Sequence, residues 1–333
     1  MADTHEESPI IVADDEYSST SDDDGYSSGP NSYTTSLASS ILKYKYENGR
    51  RYHSFRDGQY VLPNDEEEQD RLDLFHHIFT MIFEGNLHLA PIGDNPQRVL
   101  DIGTGTGIWA MDFADRYPSS TVIANDLSPI QPAWVPPNCQ FEVDDAESEW
   151  SYSAKFDFIH IRALGGAITD WPKLFRQAYK HLNPGGWIEV VEPQPRPYCD
   201  DGTLSKDGYM IKISDLFADA LSKIGKIGDP AEKQKDWLTE AGFVNAAHIM
   251  KKVPNNPWPK DPKLKELGAY QLQNMLTGIE AYMMAPLTRI LGLSTEDAKL
   301  ICDGACKEVA NRRVHLYSRV WISTAQKPLE DEE

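Results

Sequence analysis

Apolar and polar positions alternate along this chain in two periods, and the switch between them marks out its elements. "RVLDI" (98–102) is a short apolar run, and "GIWAMDFADRYP" (107–118) has helical spacing that stops at Pro118. "TVIAN" and "CQFEV" read as the next two strands, followed by "KFDFIHI", a helix through "WPKLFRQAYKHL", and "GGWIEVVE". "AEKQKDWLTEAGF" predicts a helix ended by Gly242, while "FVNAAHIMKKV" and "RVHLYSRVWISTAQK" supply two closing strands. Strand–helix alternation of this kind predicts an α/β fold, a parallel sheet with helices on both faces.

Two segments flank this core. "NDEEEQDRLDLFHHIFTMIF" reads as an amphipathic helix with an acidic first turn and Leu72, Phe75, Ile78, Phe79 and Ile82 on one stripe. His76 and His77 are adjacent and point in different directions, so they read as surface or packing residues rather than paired ligands. Residues 254–312 are mainly helical in pattern, with Ser294 in "STED" as a helix cap, and an insertion of this size at a sheet end suits a lid or substrate pocket. The organisation expected is a Ser/Asp-rich disordered tail at 1–42, an N-terminal helical lid segment at 43–95, the core at 96–253, a helical lid insertion at 254–312, and a last strand with an acidic tail at 313–333.

Charge narrows the partners. The formal net charge is −20, and nine acids precede Lys43 with no Lys or Arg among them. Such a field repels duplex DNA and anionic membranes, so neither direct nucleic-acid binding nor membrane binding is expected, while a basic or neutral protein partner fits. No apolar run is long enough to span a bilayer, and no secretory leader is read at the N-terminus. The four cysteines form no CxxC pair; Cys302 and Cys306 lie one helical turn apart with no nearby histidine, which favours packing over metal. The expected location is cytoplasmic, with the nucleus open to the protein through a partner.

The chemistry concentrates in "DIGTGTG". Gly103, Gly105 and Gly107 allow a tight turn and close approach of a ligand to the backbone at a strand's carboxyl end. A dinucleotide loop needs GxGxxG, but the third position holds Ile108, and no GKS or GKT ends the loop. Asp101 adds a carboxylate two residues before the first glycine, favouring a ligand with a cation there over a pyrophosphate. S-adenosylmethionine, with its ammonium and sulfonium, meets that requirement. Asp126 ends the next strand, where a carboxylate can accept from both ribose hydroxyls, and "VDDAESEW" offers Asp144 or Asp145 to the adenine amino group. Asp126 and Asp145 read alternatively as caps of helices or turns.

With "VLDIGTGTG", "NDLSP", "DDAESEW" and "LNPGGWIEVVE" in order over 98–250, the chain resembles class I S-adenosylmethionine-dependent methyltransferases. "YKYENGRRYHSF", "LPNDEEEQDRLDLFHH" and "DLSPIQPAWVPPNCQFEVDDAESEW" make it similar, more narrowly, to the fungal LaeA-like group of secondary metabolism. That resemblance implies a Rossmann-like, mostly parallel seven-stranded sheet, and a cofactor held by Asp101, Gly103 and Gly105 at the methionine end. Asp126 would then hold the ribose, with Asp145 and Ala146 at the adenine. It also implies that Tyr44, Tyr46, Arg50, Arg51, Tyr52 and His53 close over the cofactor or substrate; the residues alone describe an aromatic, basic surface that suits helix packing equally. The activity expected is methylation of a small molecule of secondary metabolism, with a regulator acting through protein partners as the alternative.

Methyl transfer needs alignment and water exclusion, and a base only where the acceptor is a hydroxyl or ammonium. His160, near the end of its strand, and His53 are the candidate bases, with His315 further off. His160 shares a face with Phe158 and reads equally as a buried structural histidine. Arg162 suits an acceptor carboxylate or a structural ion pair, and Trp171 and Trp258 suit a pocket wall or the core.

Overall fold

A computed structural model describes residues 10–14, 44–47, 49–53 and 63–329. A hairpin of β1 (Tyr44–Glu47) and β2 (Arg50–His53) comes first, then α1 (Glu66–Ile82), β3 (Arg98–Ile102), α2 (Ile108–Arg116), β4 (Thr121–Asp126) and β5 (Cys139–Val143). β6 (Phe156–Arg162), α3 (Trp171–His181), β7 (Leu182–Pro193), α4 (Tyr209–Lys223), α5 (Gln234–Glu240) and β8 (Val244–Pro254) follow. α6 (Pro262–Ala285), α7 (Thr295–Ala310) and β9 (Tyr317–Gln326) complete the chain.

The seven strands β3 to β9 form one sheet in the order β5-β4-β3-β6-β7-β9-β8. Only β9 runs antiparallel to its neighbours, so the expected mostly parallel seven-stranded sheet is observed. Pleating sends Leu100, Ile102, Ile159, Ile161, Ile188 and Val190 to the face covered by α3 and α5. Val99, Val122, Ala124 and Phe158 face α2, and Val191, Val320 and Ile322 face α1. The chain runs from β3 outward through β4 to β5, then returns to the other side of β3 as β6. That reversal opens a crevice at the carboxyl ends of the strands.

Helix starts follow local chemistry where a cap is present. Asp65, Asp170, Asp261 and Ser294 each accept a hydrogen bond from the amide three residues on. α4 has no such signal in the sequence: Gly208 precedes it, and the Met210 amide instead donates to Glu308 Oε2 of α7 at 2.7 Å. Its apolar stripe, Met210, Ile213 and Leu216, packs with Ile279, Met283, Ile301 and Ala305 of α6 and α7. The helical insertion therefore carries its own core and recruits α4 from the segment expected to belong to the sheet domain. Cys302 and Cys306 pack in this core, and the described residues include no group of three or more His, Cys, Asp or Glu that could hold a metal. No helix among the described residues is long and apolar enough to cross a membrane.

Asn48–Gly49 is a sequence signal for the hairpin of β1 and β2, and Gly49 sits at φ +79°. Arg50 grips Asp65 with two bonds of 2.7 Å, Arg51 bonds Asn64 O and Glu66, and Tyr52 is buried against Ala285. Most of the stretch 1–42, expected to be a disordered tail, lies outside the described residues. Residues 10–14 of it are placed against the insertion: the Asp14 amide donates to Trp258 O, the Lys260 amide to Val12 O, and Asp14 pairs with Lys265.

Candidate functional site

The glycine turn between β3 and α2 places its three glycines in left-handed conformations, with Gly103, Gly105 and Gly107 at φ +68°, +59° and +81°. A Cβ on Gly107 would stand 2.3 Å from Phe141 Cζ, and one on Gly103 2.4 Å from Leu164 Cδ2, so space as well as backbone demands glycine. The turn is tied to β4: the amides of Gly103 and Thr104 donate to Asn125 O, and the Gly105 amide donates to Asp126 Oδ2 at 2.9 Å. Asp126 Oδ1 accepts from the Ser128 amide, so the carboxylate is fixed at the strand end; burial pushes its carboxyl up to about 6.

Around this turn lies a crevice lined by Gly103, Gly105, Asp126, Asp145 and Ala146, five of the six residues expected to hold the cofactor. Asp144, Glu147, Arg162 and Lys226 add further charges. Asp145 is 8% exposed and also caps its own turn, accepting from the Glu147 amide at 2.9 Å.

The sixth residue, Asp101, is placed differently. It shares the Val99 face of β3, is 3% exposed, and does not line the crevice. Its Oδ1 accepts from His160 Nδ1 at 2.7 Å and its Oδ2 from Thr104 Oγ1 at 2.6 Å. The expectation that Asp101 faces the ligand is thus corrected: pleating turns it under the turn, where it braces Thr104. His160 is corrected with it. Its ring stacks on Trp109 at 3.7 Å with planes 5° apart, 1% exposed, and burial lowers its pKa to about 4. A neutral imidazole sealed between sheet and helix cannot act as base for a ligand it does not meet. The side chain of His53 lies outside the described residues. Arg50, Arg51 and Tyr52 brace the hairpin rather than lining the crevice, and Tyr46 is exposed. His315 pairs with Asp201 at 2.5 Å; Trp171 is buried in the sheet core and Trp258 beside β9.

Arg162 suits an acceptor carboxylate or a structural ion pair from its sequence position. It is inside the crevice, held by a 3.2 Å bond from Nη2 to His76 Nδ1 and by cation–π contact with Phe79. His76 Nε2 in turn meets Asp112 Oδ2 at 3.0 Å, so the buried one of the two adjacent histidines orients the guanidinium. Burial lowers the Arg162 pKa to about 10, which leaves it charged at neutral pH.

A second cavity adjoins the first. Its walls are α1, the end of β7, α4 and α6, with Phe75, Pro193, Met210, Ile213, Phe217 and Met283 among its apolar lining. Phe75, Ala163 and Tyr282 line both cavities and form their junction. Ala163 sits at φ +54°, a conformation alanine seldom adopts, in the turn after β6. Arg71 fixes the roof: Nε and Nη2 bond Glu68 at 2.9 and 2.7 Å, Nη1 bonds Asn274, and Nη2 reaches Tyr282 OH at 2.9 Å. The sequence pattern suggests a substrate pocket at the 254–312 insertion but not its lining, since α1 and α6 are about two hundred residues apart.

The chain matches the family model of a methyltransferase domain over residues 74–248. It is 43% identical over 308 residues to methyltransferase pytC of Aspergillus terreus, covering 92% of this chain and 95% of that one. The chain belongs to the methyltransferase family. This methyltransferase is also 40% identical over 289 residues to the secondary metabolism regulator LAE1 of Cochliobolus heterostrophus, covering 85% of this chain and 94% of that one. Among solved structures, coclaurine N-methyltransferase bound to N-methylheliamine and SAH aligns with a TM-score of 0.46 at 15% identity, covering 76% of this chain and 72% of that one. The methyltransferase has the class I fold, with its sheet in the order β5-β4-β3-β6-β7-β9-β8.

Proposed function

We propose that this methyltransferase binds S-adenosylmethionine in the crevice at the glycine turn and methylates a small molecule of secondary metabolism held in the adjoining chamber. The junction of the two cavities at Phe75, Ala163 and Tyr282 carries this reading, because it gives a methyl group a short enclosed path to an acceptor. Bound there, the cofactor supplies an electrophilic methyl group on a positively charged sulfur.

The residues present fit that group. Asp126, fixed by two backbone amides, offers its remaining lone pairs to the ribose hydroxyls. Asp145 and Ala146 edge the adenine end, and Gly103 and Gly105 let the methionine end approach the backbone. Arg162 takes the methionine carboxylate, an Arg–carboxylate pairing that is stronger in a buried site. Asp101 and His160 act behind the turn as positioning residues. α1 and α6 cover the site against water.

Calorimetry of the full chain tests the cofactor assignment: S-adenosylhomocysteine binds, NAD does not, and Asp126→Ala weakens binding at least tenfold. The acceptor is tested by incubation with methyl-labelled S-adenosylmethionine and cell extract, where label is expected in a small molecule. The 40% identity to the regulator LAE1 favours a second reading, in which protein is the acceptor. Label confined to protein, or loss of many unrelated metabolites in an Asp126→Ala strain rather than of one methylated compound, would replace the first reading with the second.

A further inference from the structure

The chamber wall bears a polar pattern that the proposed reaction leaves unexplained. Arg71 and Glu192 are the charged residues lining it, and Arg71 is already committed to Glu68. Glu192, at the end of β7 and 2% exposed, accepts from the Leu164 amide through Oε2 at 3.2 Å and from the Gly165 amide through Oε1 at 2.9 Å. Each of its oxygens keeps an acceptor lone pair. Asn255, 1% exposed and lining the same chamber, has an Oδ1 with no hydrogen-bond partner among the described residues. A buried acceptor left unpaired is costly, and a ligand that donates to it recovers that loss.

We infer that Glu192 and Asn255 Oδ1 form the acceptor-recognition site of the chamber, selecting an apolar molecule that presents an amine or hydroxyl and rejecting one that presents a carboxylate. The inference rests on the reading of this cavity as the acceptor chamber. With Glu192 ionised both groups offer only lone pairs, so they reward N–H and O–H donors and oppose an anion. The surrounding Phe75, Met210, Ile213 and Phe217 select an apolar body. Other titratable groups near Glu192 are the Glu68–Arg71 pair and Tyr282 in the roof, and Asp229 and Glu232, which meet Gln194 at 2.9 and 3.3 Å. Burial, assisted by Asp229, raises the Glu192 carboxyl to about 8, so a cationic amine arriving at neutral pH displaces its proton.

Three isosteric probes test this on the full chain loaded with S-adenosylhomocysteine: 2-phenylethylamine, 2-phenylethanol and phenylacetate. Calorimetry at about pH 9, where Glu192 is ionised, is expected to show the amine and the alcohol binding at least tenfold more tightly than phenylacetate. Glu192→Gln is expected to weaken the amine at least tenfold, and Asn255→Ala to weaken amine and alcohol at least threefold, each with S-adenosylhomocysteine affinity retained as the check on folding. Independently of any variant, titration in buffers of different ionisation enthalpy is expected to show a proton released as the amine binds to the unaltered protein near pH 7, and none with the alcohol. Phenylacetate binding as tightly as the amine, no detectable binding of any probe, or no proton release overturns the inference. Label entering only protein in the extract experiment, with probe selectivity intact, overturns the small-molecule reading and leaves the selectivity of the cavity standing.

Discussion

His160 donates from Nδ1 to Asp101 Oδ1 at 2.7 Å, across the parallel register in which the two residues are direct partners on β6 and β3. The pair joins the cofactor turn to the sheet core, since the other oxygen of Asp101 holds Thr104. Removing the imidazole leaves a buried carboxylate with Thr104 as its side-chain partner. His160→Ala is therefore expected to lower stability by about 3 kcal/mol, read as a shift of the urea midpoint. Unchanged stability with transfer reduced a hundredfold would instead make His160 a participant in the chemistry.

The three turn glycines are not equivalent. Gly107→Ala adds a clash with Phe141 at 2.3 Å to the strain of φ +81°, whereas the nearest atom to a Cβ on Gly105 is Leu72 Cδ1 at 3.5 Å. Gly107→Ala should cost about 3 kcal/mol, and Gly105→Ala about 1 kcal/mol, the price of the left-handed backbone alone. Thermal unfolding of the two variants checks the order.

Arg71 and Glu68 are buried together, with side chains 4% and 3% exposed. Arg71→Met strands the carboxylate and is expected to destabilise by about 3–5 kcal/mol, while Glu68→Leu with Arg71→Met together should cost less than Arg71→Met alone. A double-mutant cycle in urea measures the coupling, and additive losses would show that the two buried charges do not depend on one another.

The stability contributed by buried carboxyls should fall as pH rises from about 4.5, their ordinary value, to about 8. Burial holds Glu189 at about 7 and Glu192 at about 8, above ordinary carboxyls, so the folded protein keeps protons that the unfolded chain has released. Stability from these groups is complete below their unfolded values and is lost as pH passes through the folded ones. Asp126, at about 6, loses its share earlier. His160 has the opposite sign: its folded pKa of about 4 lies below the unfolded value, so stability from its neutral form is lost as pH falls from about 6.5 toward 4. Midpoints across this range check both limbs, and Glu192→Gln should flatten the alkaline one.

Periodicity along the chain was enough to place the strands of the sheet, the helices with local caps and the ligand turn, because those features depend on residues within a few positions of one another. Asp126 was legible as well, being the last residue of a strand beside a glycine turn. Asp101 was misjudged although its alternation with Val99 was available, since the pull of a nearby cation was weighed and the direction imposed by the pleat was not. Arg162 carried no local sign of where its charge would point; His76 and Phe79, on another element, decide that. The start of α4 depends on Glu308, roughly a hundred residues away, and the chamber on contacts among α1, β7, α4 and α6. Local spacing determines what each segment becomes, whereas only packing determines which side chains meet across segments, because a buried charge takes its partner from whatever the fold brings to it.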